Sequence, residues 1–270
     1  MNELEMVSVI MPNYNYARYI QQSIEAVLAQ TYTNIELIII DDGSTDDSIK
    51  IIHNLIAKDY RIKVIENKLN KGVVECRNLG IEQASGMYLC FIDPDDIWDI
   101  NKLKLQLEAL KKYNGNLCFT DIQIIDTDGV KGKIRKHHYH EYSYNNLLKR
   151  NFIPHSTLLV QKALLENIRY EDIWVNSFQQ WIMNKLVIKK IIHEDYVLLL
   201  KIFKTKNVQA VHLSEPLVLY RVHANNYSGS YFKKFWSLYC IYRNTQGFNF
   251  VKSVFFTLRI AILASIKNLS

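Results

Sequence analysis

Three clusters of polar residues follow apolar runs in the first hundred residues. The densest is Asp93-Pro94-Asp95-Asp96, placed directly after Phe91-Ile92. Two carboxylates separated by one residue at a strand end can face one hard cation. Mg²⁺ or Mn²⁺ prefers oxygen ligands and keeps positions open for water and phosphate. The same residues also suit an acidic turn capping a helix near Asn101. The second cluster is Asp41-Asp42-Gly43-Ser44-Thr45-Asp46. Here Asp41 or Asp42 can accept hydrogen bonds from a ring N–H or from ribose hydroxyls. Ser44, as an N-cap, and Asp46, near the positive helix end, suit the start of a helix. The third cluster is Pro12-Asn13-Tyr14-Asn15, after Met11.

Such side chains need a frame that brings them to one edge, and the first half of the chain has the pattern for one. Apolar runs at Val7–Met11, Ile35–Ile40, Lys63–Ile65 and Met87–Ile92 read as strands. Helical periodicity separates them at Ala17–Gln30, Ser44–Lys58 and Val73–Ala84. This alternation predicts an α/β fold, a mainly parallel sheet flanked by helices. In such sheets the carboxyl ends of the strands form the ligand-binding edge, and all three clusters fall there. Farther on, Lys102–Lys112, Phe178–Lys190 and Glu194–Lys204 read as helices. Leu117–Ile125, His155–Val160, Ala210–Leu213 and Leu217–Val222 read as strands. The expected organisation is one domain over 1–230 with a helical extension over 231–270.

Several chemistries lose their support. No GxGxxG, GK[ST], HExxH or GxSxG is present, which disfavours simple dinucleotide oxidoreductases, P-loop NTPases, zincins and α/β-hydrolases. The four cysteines (Cys76, Cys90, Cys118, Cys240) are far apart and form no CxxC, so they read as free thiols rather than a disulfide or zinc framework.

The three clusters occur together and in order with Asn70-Lys71-Gly72 through Arg77-Asn78-Leu79-Gly80. In this joint pattern the chain resembles the family 2 glycosyltransferases, whose fold is GT-A (Rossmann-like). The likeness covers Val7 to Asp96 closely. It continues more loosely at His193-Glu194-Asp195-Tyr196 and Tyr220-Arg221-Val222-His223. The resemblance implies a nucleotide-sugar donor, commonly a UDP-sugar, held by Pro12, Asn13, Tyr14, Asp41, Asp42 and Arg77. It implies that Asp93 touches ribose or phosphate and that Asp95 binds the Mn²⁺ or Mg²⁺ bridging the donor diphosphate. Asp195 would be the general base of an inverting displacement, with Glu171-Asp172 as the rival pair. In some relatives a late histidine joins the metal, here His223; the plainer reading, which the position favours, is a loop histidine near phosphate or solvent. Two features depart from the family: a longer stretch between Tyr170 and His193, and Leu199 where Trp is frequent. A sugar nucleotidyltransferase would want a Gly-rich basic loop where Tyr14-Asn15-Tyr16 stands. A non-catalytic nucleotide-sugar-binding module would have no need of Asp93, Asp95 and Asp195.

Charge separates the two ends of the chain. The net charge is +6, yet no acidic residue follows Glu215. Arg221, Lys233, Lys234, Arg243, Lys252, Arg259 and Lys267 lie beyond it, so the first 215 residues carry 26 bases against 27 acids. Bases interleaved with Phe235, Trp236, Tyr239, Phe255 and Phe256 suit an anionic membrane surface, or a helix packed on the domain with its bases outward. No nucleic-acid module is recognisable, no export signal precedes the first strand, and no apolar run is long enough to span a bilayer. The expected location is cytoplasmic, peripheral on the inner face of the cell membrane. The expected acceptor is a saccharide or a lipid-linked saccharide.

Overall fold

The computed structural model describes residues 5–136, 141–173, 175–185, 193–223 and 231–267. His137, His138 and His140, whose basic surroundings read in sequence as a solvated hairpin, lie outside these residues, as do the end of the helix expected at Phe178–Lys190 and the segment Asn225–Ser228. The chain divides into two compact units. The first is Met1–His140, Ile153–Arg169 and Lys206–Val222. The second is Glu141–Phe152, Tyr170–Thr205 and His223–Ser270. This differs from a division at residue 230, because segments from the middle of the sequence join the C-terminal helices.

The first unit is built on a nine-stranded sheet. Its strands are β1 (Val7–Asn13), β2 (Ile35–Asp41), β3 (Ile62–Glu66), β4 (Tyr88–Phe91), β5 (Ile97–Trp98), β6 (Leu117–Ile125), β7 (Lys131–Arg135), β8 (Leu159–Gln161) and β9 (Ala210–Arg221). The order is β3-β2-β1-β4-β8-β6-β9-β5, with β7 on β6. The expected parallel half is β3, β2, β1 and β4. Beyond β4 the sheet is mixed: β8 runs antiparallel to both β4 and β6, while β9 is parallel to β6. Every residue of β1 and β2 is buried, as befits strands covered on both faces. The exception in composition, Glu36, is neutralised where it lies. Its carboxylate accepts from Ser8 Oγ at 2.5 Å, Lys63 Nζ at 2.6 Å and Ser85 N at 2.6 Å.

Helices α1 (Ile20–Leu28), α2 (Ser48–Ile56), α3 (Val73–Gln83) and α4 (Lys102–Lys112) complete this unit. Helix α3 lies close on the sheet because Gly80 has no side chain. A Cβ there would meet Ile10 Cγ2 at 2.4 Å and Ile40 Cδ1 at 3.1 Å. Gly72, with φ of 91°, makes the turn that starts α3.

Three expectations about elements are corrected. Helix α2 starts at Ser48, four residues after the expected N-cap Ser44, because the Ser44 hydroxyl is engaged elsewhere, as described below. The expected strand at His155–Val160 begins as a 3₁₀ turn, His155–Thr157, set by Pro154, and becomes extended only in β8. The two late strands are one strand, β9, whose pairing with β6 is irregular at Pro216. Proline has no N–H to give a ladder and sits where the ladder is broken.

The second unit contains α5 (Tyr144–Lys149), α6 (Ser177–Lys185), α7 (Glu194–Thr205), α8 (Tyr231–Cys240), a π-helical turn (Ile241–Thr245) and α9 (Phe250–Lys267). Helix α7 buries Tyr196–Leu200, Ile202 and Phe203, more than the one stripe its sequence suggests. Tyr242 is fully buried. Its hydroxyl donates to Leu148 O at 2.7 Å and lies 3.0 Å from the Tyr196 hydroxyl, which donates to Leu147 O. The C-terminal segment is therefore a packed part of this unit on one side.

Candidate active site

The parallel register brings the first two loops together. Asn13 pairs with Asp41 at the carboxyl ends of β1 and β2. Asn13 Nδ2 donates to Asp41 Oδ1 at 2.7 Å, and Ser44 Oγ donates to the same oxygen at 2.6 Å. Ser44 Oγ in turn accepts from Asn15 N at 2.9 Å. Asn15 holds a left-handed φ of 59° and offers Oδ1 to Thr45 N at 2.7 Å. Asp46 accepts from Ala17 N, and the Ser48 hydroxyl accepts from Tyr16 N. Ser44 and Asp46 thus lock the Asp41–Asp46 loop onto the Pro12–Asn15 loop, with Asp46 also accepting from Ser48 N at the start of α2.

Asp42 performs the same task for the next loop. It accepts from Asn67 Nδ2 at 2.9 Å, Lys71 N at 2.9 Å and Gly72 N at 2.7 Å. Burial alone would raise its carboxyl; these hydrogen bonds outweigh burial and hold it below the usual carboxylate range. Both aspartates are thus well supplied with protein donors. Asn13 is 2% exposed, and its Oδ1 has no hydrogen-bond partner among the described residues. It is an acceptor at the edge where a base N–H is expected. Tyr14, at 43% exposure, stands at the rim.

The acidic turn lies beyond β4. Arg77, buried on α3, donates from Nη2 to Asp93 Oδ1 at 2.9 Å. Asp93 N donates to Ser156 Oγ, and Trp98 Nε1 donates to Ser156 O, so the 3₁₀ turn props the acidic one. His155 stacks on Phe91 with ring centroids 4.8 Å apart. Burial, and then the charge of Arg77, push its imidazole well below the ordinary histidine range, so it stays neutral. Asp95 and Asp96 are both buried. The Asp96 carboxyl is driven well above the usual range, first by burial and then by the charges of Asp95 and Asp93. Its Oδ2 has no partner among the described residues. Tyr16 feels the same field: burial, then Asp95, Asp93 and Asp96, raise its phenol.

One residue organises this turn, and its chemistry is not evident from the sequence. Arg221, at the end of β9, is 3% exposed. Its backbone N–H donates to Asp96 Oδ1 at 3.1 Å, and its Nε donates to Asp95 O at 3.0 Å. Nη1 donates to Asp126 O and Thr127 O, and Nη2 to Gln22 Oε1. The guanidinium lies 4.7 Å from the centre of the Tyr19 ring. Arg221 therefore fixes the peptide of Asp95 through its carbonyl. The sequence assigns no role to Tyr16, Tyr19, Ser156 or Arg221, although Tyr16 stands in Tyr14-Asn15-Tyr16 and Arg221 in Tyr220-Arg221-Val222-His223.

Among the described residues no three His, Cys, Asp or Glu converge as a protein-only metal cage would. Asp93 and Asp95 nonetheless fit a hard cation. They are oxygen donors in an excess of negative charge, and Mg²⁺ is commonly held by one or two carboxylates plus substrate phosphates.

Two expected residues belong to the second unit. Asp195 lies in the first turn of α7, and its Oδ1 accepts from Tyr196 N. The rival Glu171 is ion-paired with Lys201, while Asp172 is exposed. His223 is half-buried.

Comparison with known proteins gives these loops a context. Residues 8–191 match the model of glycosyl transferase family 2. Over 230 residues the chain is 34% identical to the Escherichia coli UDP-Glc:α-D-GlcNAc-diphosphoundecaprenol β-1,3-glucosyltransferase WfgD, covering 85% of this chain and 82% of the relative. The fold is shared with residues 1–349 of S. aureus TarS, solved with UDP-GlcNAc, at a TM-score of 0.66 and 19% identity over 92% of this chain and 69% of that fragment. A Pyrobaculum calidifontis mannosyltransferase solved with GDP-Man and Mn²⁺ gives a TM-score of 0.58 at 15% identity, covering 87% of this chain and 61% of that one. The family match spans all three polar loops, Arg77 and the acidic turn, and with it the chain belongs to glycosyl transferase family 2.

Proposed function

We propose that this glycosyltransferase moves a hexose from a UDP-sugar to a lipid-linked saccharide, with Mn²⁺ or Mg²⁺, at the inner face of the cell membrane in surface polysaccharide synthesis. The observation that carries the reading is the acidic turn. Asp93, Asp95 and Asp96 share one turn at the end of β4, with Asp95 and Asp96 buried, so carboxylates are gathered there out of water. Such a site favours an added positive charge. A bound divalent ion supplies Lewis-acid neutralisation of the departing diphosphate. Asp93 and Asp95 would hold it. Pro12, Asn13, Tyr14, Asp41 and Asp42 frame the nucleoside side, with Asn13 Oδ1 as an acceptor for a base N–H. Arg77 fixes Asp93.

Asp195 takes the proton of the acceptor hydroxyl as that oxygen attacks the anomeric carbon. Single displacement with one base inverts the anomeric centre. The donor and acceptor classes follow the name of the WfgD relative, which uses UDP-Glc and a GlcNAc diphosphate lipid.

The test is thermal unfolding with UDP-, GDP- and CDP-sugars, each with Mn²⁺ or with EDTA. A ligand at about 100 times its Kd stabilises by about 2.7 kcal/mol. The reading expects that shift with UDP-sugars and Mn²⁺ and its loss with EDTA. Equal stabilisation in EDTA, or by another nucleotide alone, would contradict it.

A further inference from the structure

Helix α9 is turned opposite to an ordinary surface helix. Ser253 and Thr257, its small polar residues, are fully buried. Val251, Phe255, Leu258 and Ile262 are 74%, 58%, 46% and 57% exposed. At 100° per residue these four fall within a sector of about 60°. Ser253 and Thr257 lie on the other side. Their hydroxyls are satisfied within the helix, Ser253 Oγ donating to Asn249 O at 2.9 Å and Thr257 Oγ1 to Ser253 O at 2.8 Å. The packed side therefore needs no polar partner, and the apolar side is what the helix offers outward. Lys252 and Arg259 are exposed and flank this stripe along one side. No helix among the described residues is long and apolar enough to cross a membrane.

We propose that the Val251–Phe255–Leu258–Ile262 stripe of α9 is the membrane-docking face of this protein, lying in the surface of an anionic lipid bilayer. Charge complementarity selects this occupant: the stripe is edged by bases, and no acidic residue follows Glu215 to oppose a negative surface. An apolar face beside bases suits the boundary between headgroups and acyl chains. The consequence is that a lipid-linked acceptor and the enzyme meet on one surface. The inference rests on the membrane-face reading above but sharpens it from a basic tail to one helix face.

Deleting the tail is not the test, because Cys240, Ile241 and Tyr242 are core residues of the second unit. The test uses the full chain without donor or acceptor. It is sedimented with vesicles of equal parts phosphatidylglycerol and phosphatidylcholine, or of phosphatidylcholine alone. Wild type is expected on the anionic vesicles, with binding that falls as salt rises. The triple variant Phe255→Gln, Leu258→Gln, Ile262→Gln should lose at least tenfold in partition with its melting temperature unchanged. The pair Lys252→Gln, Arg259→Gln should lose about 25-fold, at roughly fivefold per base near an anionic surface. Wild-type partition of the folded triple variant would overturn the proposal. So would a wild-type dimer that the triple variant makes monomeric, which would identify a second copy as the occupant. If the triple variant is unfolded, the single change Leu258→Gln replaces it and must lower partition at least twofold. UDP-dependent stabilisation, measured separately, shows whether the catalytic reading stands or falls on its own.

Discussion

Replacing Arg221 with lysine keeps the charge and removes the planar fork. The structure sets what is lost. Four side-chain hydrogen bonds leave the guanidinium, to Asp95 O at 3.0 Å, Asp126 O at 3.1 Å, Thr127 O at 3.2 Å and Gln22 Oε1 at 3.0 Å. A lysine ammonium is a single point and satisfies one or two of them. About two acceptors are then left without a donor, at roughly 1–3 kcal/mol each. The expected loss is ~2–6 kcal/mol in urea unfolding. The site should suffer separately, because Asp95 O is one of the anchors of the acidic turn. A misplacement of ~1 Å can cost about 10²-fold in rate. Mn²⁺ affinity, followed by the paramagnetic resonance of free Mn²⁺ on folded protein, should weaken at least tenfold in Arg221→Lys. A stability change under 0.5 kcal/mol would refute the hydrogen-bond accounting. A full stability loss with unchanged Mn²⁺ affinity would refute the positioning role and leave Arg221 as scaffold.

Asp95→Asn should abolish transfer and Mn²⁺-dependent UDP binding in calorimetry; unchanged metal-dependent affinity would remove Asp95 from the metal site. Asp195→Asn should keep donor affinity and lose transfer by about 10²-fold or more, as a missing general base does. Normal turnover in that variant together with a dead Asp172→Asn would move the base to Asp172. Gly80→Ala should destabilise by ~1–3 kcal/mol, because the new methyl group meets the stiff, buried side chain of Ile10; chemical denaturation within 0.5 kcal/mol of wild type would mean that α3 lifts freely from the sheet.

The parallel half of the sheet was legible because β1 and β2 are buried along their whole length, and burial on both faces writes continuous apolar runs. The edge was legible for the same reason: polar residues ending such runs have nowhere else to lie. Single roles were harder to read. Ser44 looks like an N-cap by spacing, yet its hydroxyl bridges two loops that only the parallel register brings together. Asp41 and Asp42 look like ligand groups, yet their oxygens take three protein hydrogen bonds each, from residues up to 30 positions away. The 3₁₀ turn at His155 sits where apolar residues resume after Pro154, a pattern that a short strand shares. Arg221 reaches Gln22 across 199 residues, a separation at which local periodicity carries no signal. Helix α9 shows an apolar face in sequence, but which face is packed depends on its neighbours, and the structure turns Ser253 and Thr257 inward.

In the proposed reaction the acidic edge holds a metal-bound UDP-sugar and passes its hexose to a lipid-linked saccharide. Its most direct test is mass spectrometry of a GlcNAc diphosphate lipid incubated with the protein, Mn²⁺ and UDP-glucose. The expected product is an acceptor heavier by one hexose, in amounts that vanish with EDTA and with Asp95→Asn. Hexose transfer that persists undiminished in EDTA or in Asp95→Asn, or an acceptor left unchanged by every UDP-hexose while UDP itself binds, would contradict it.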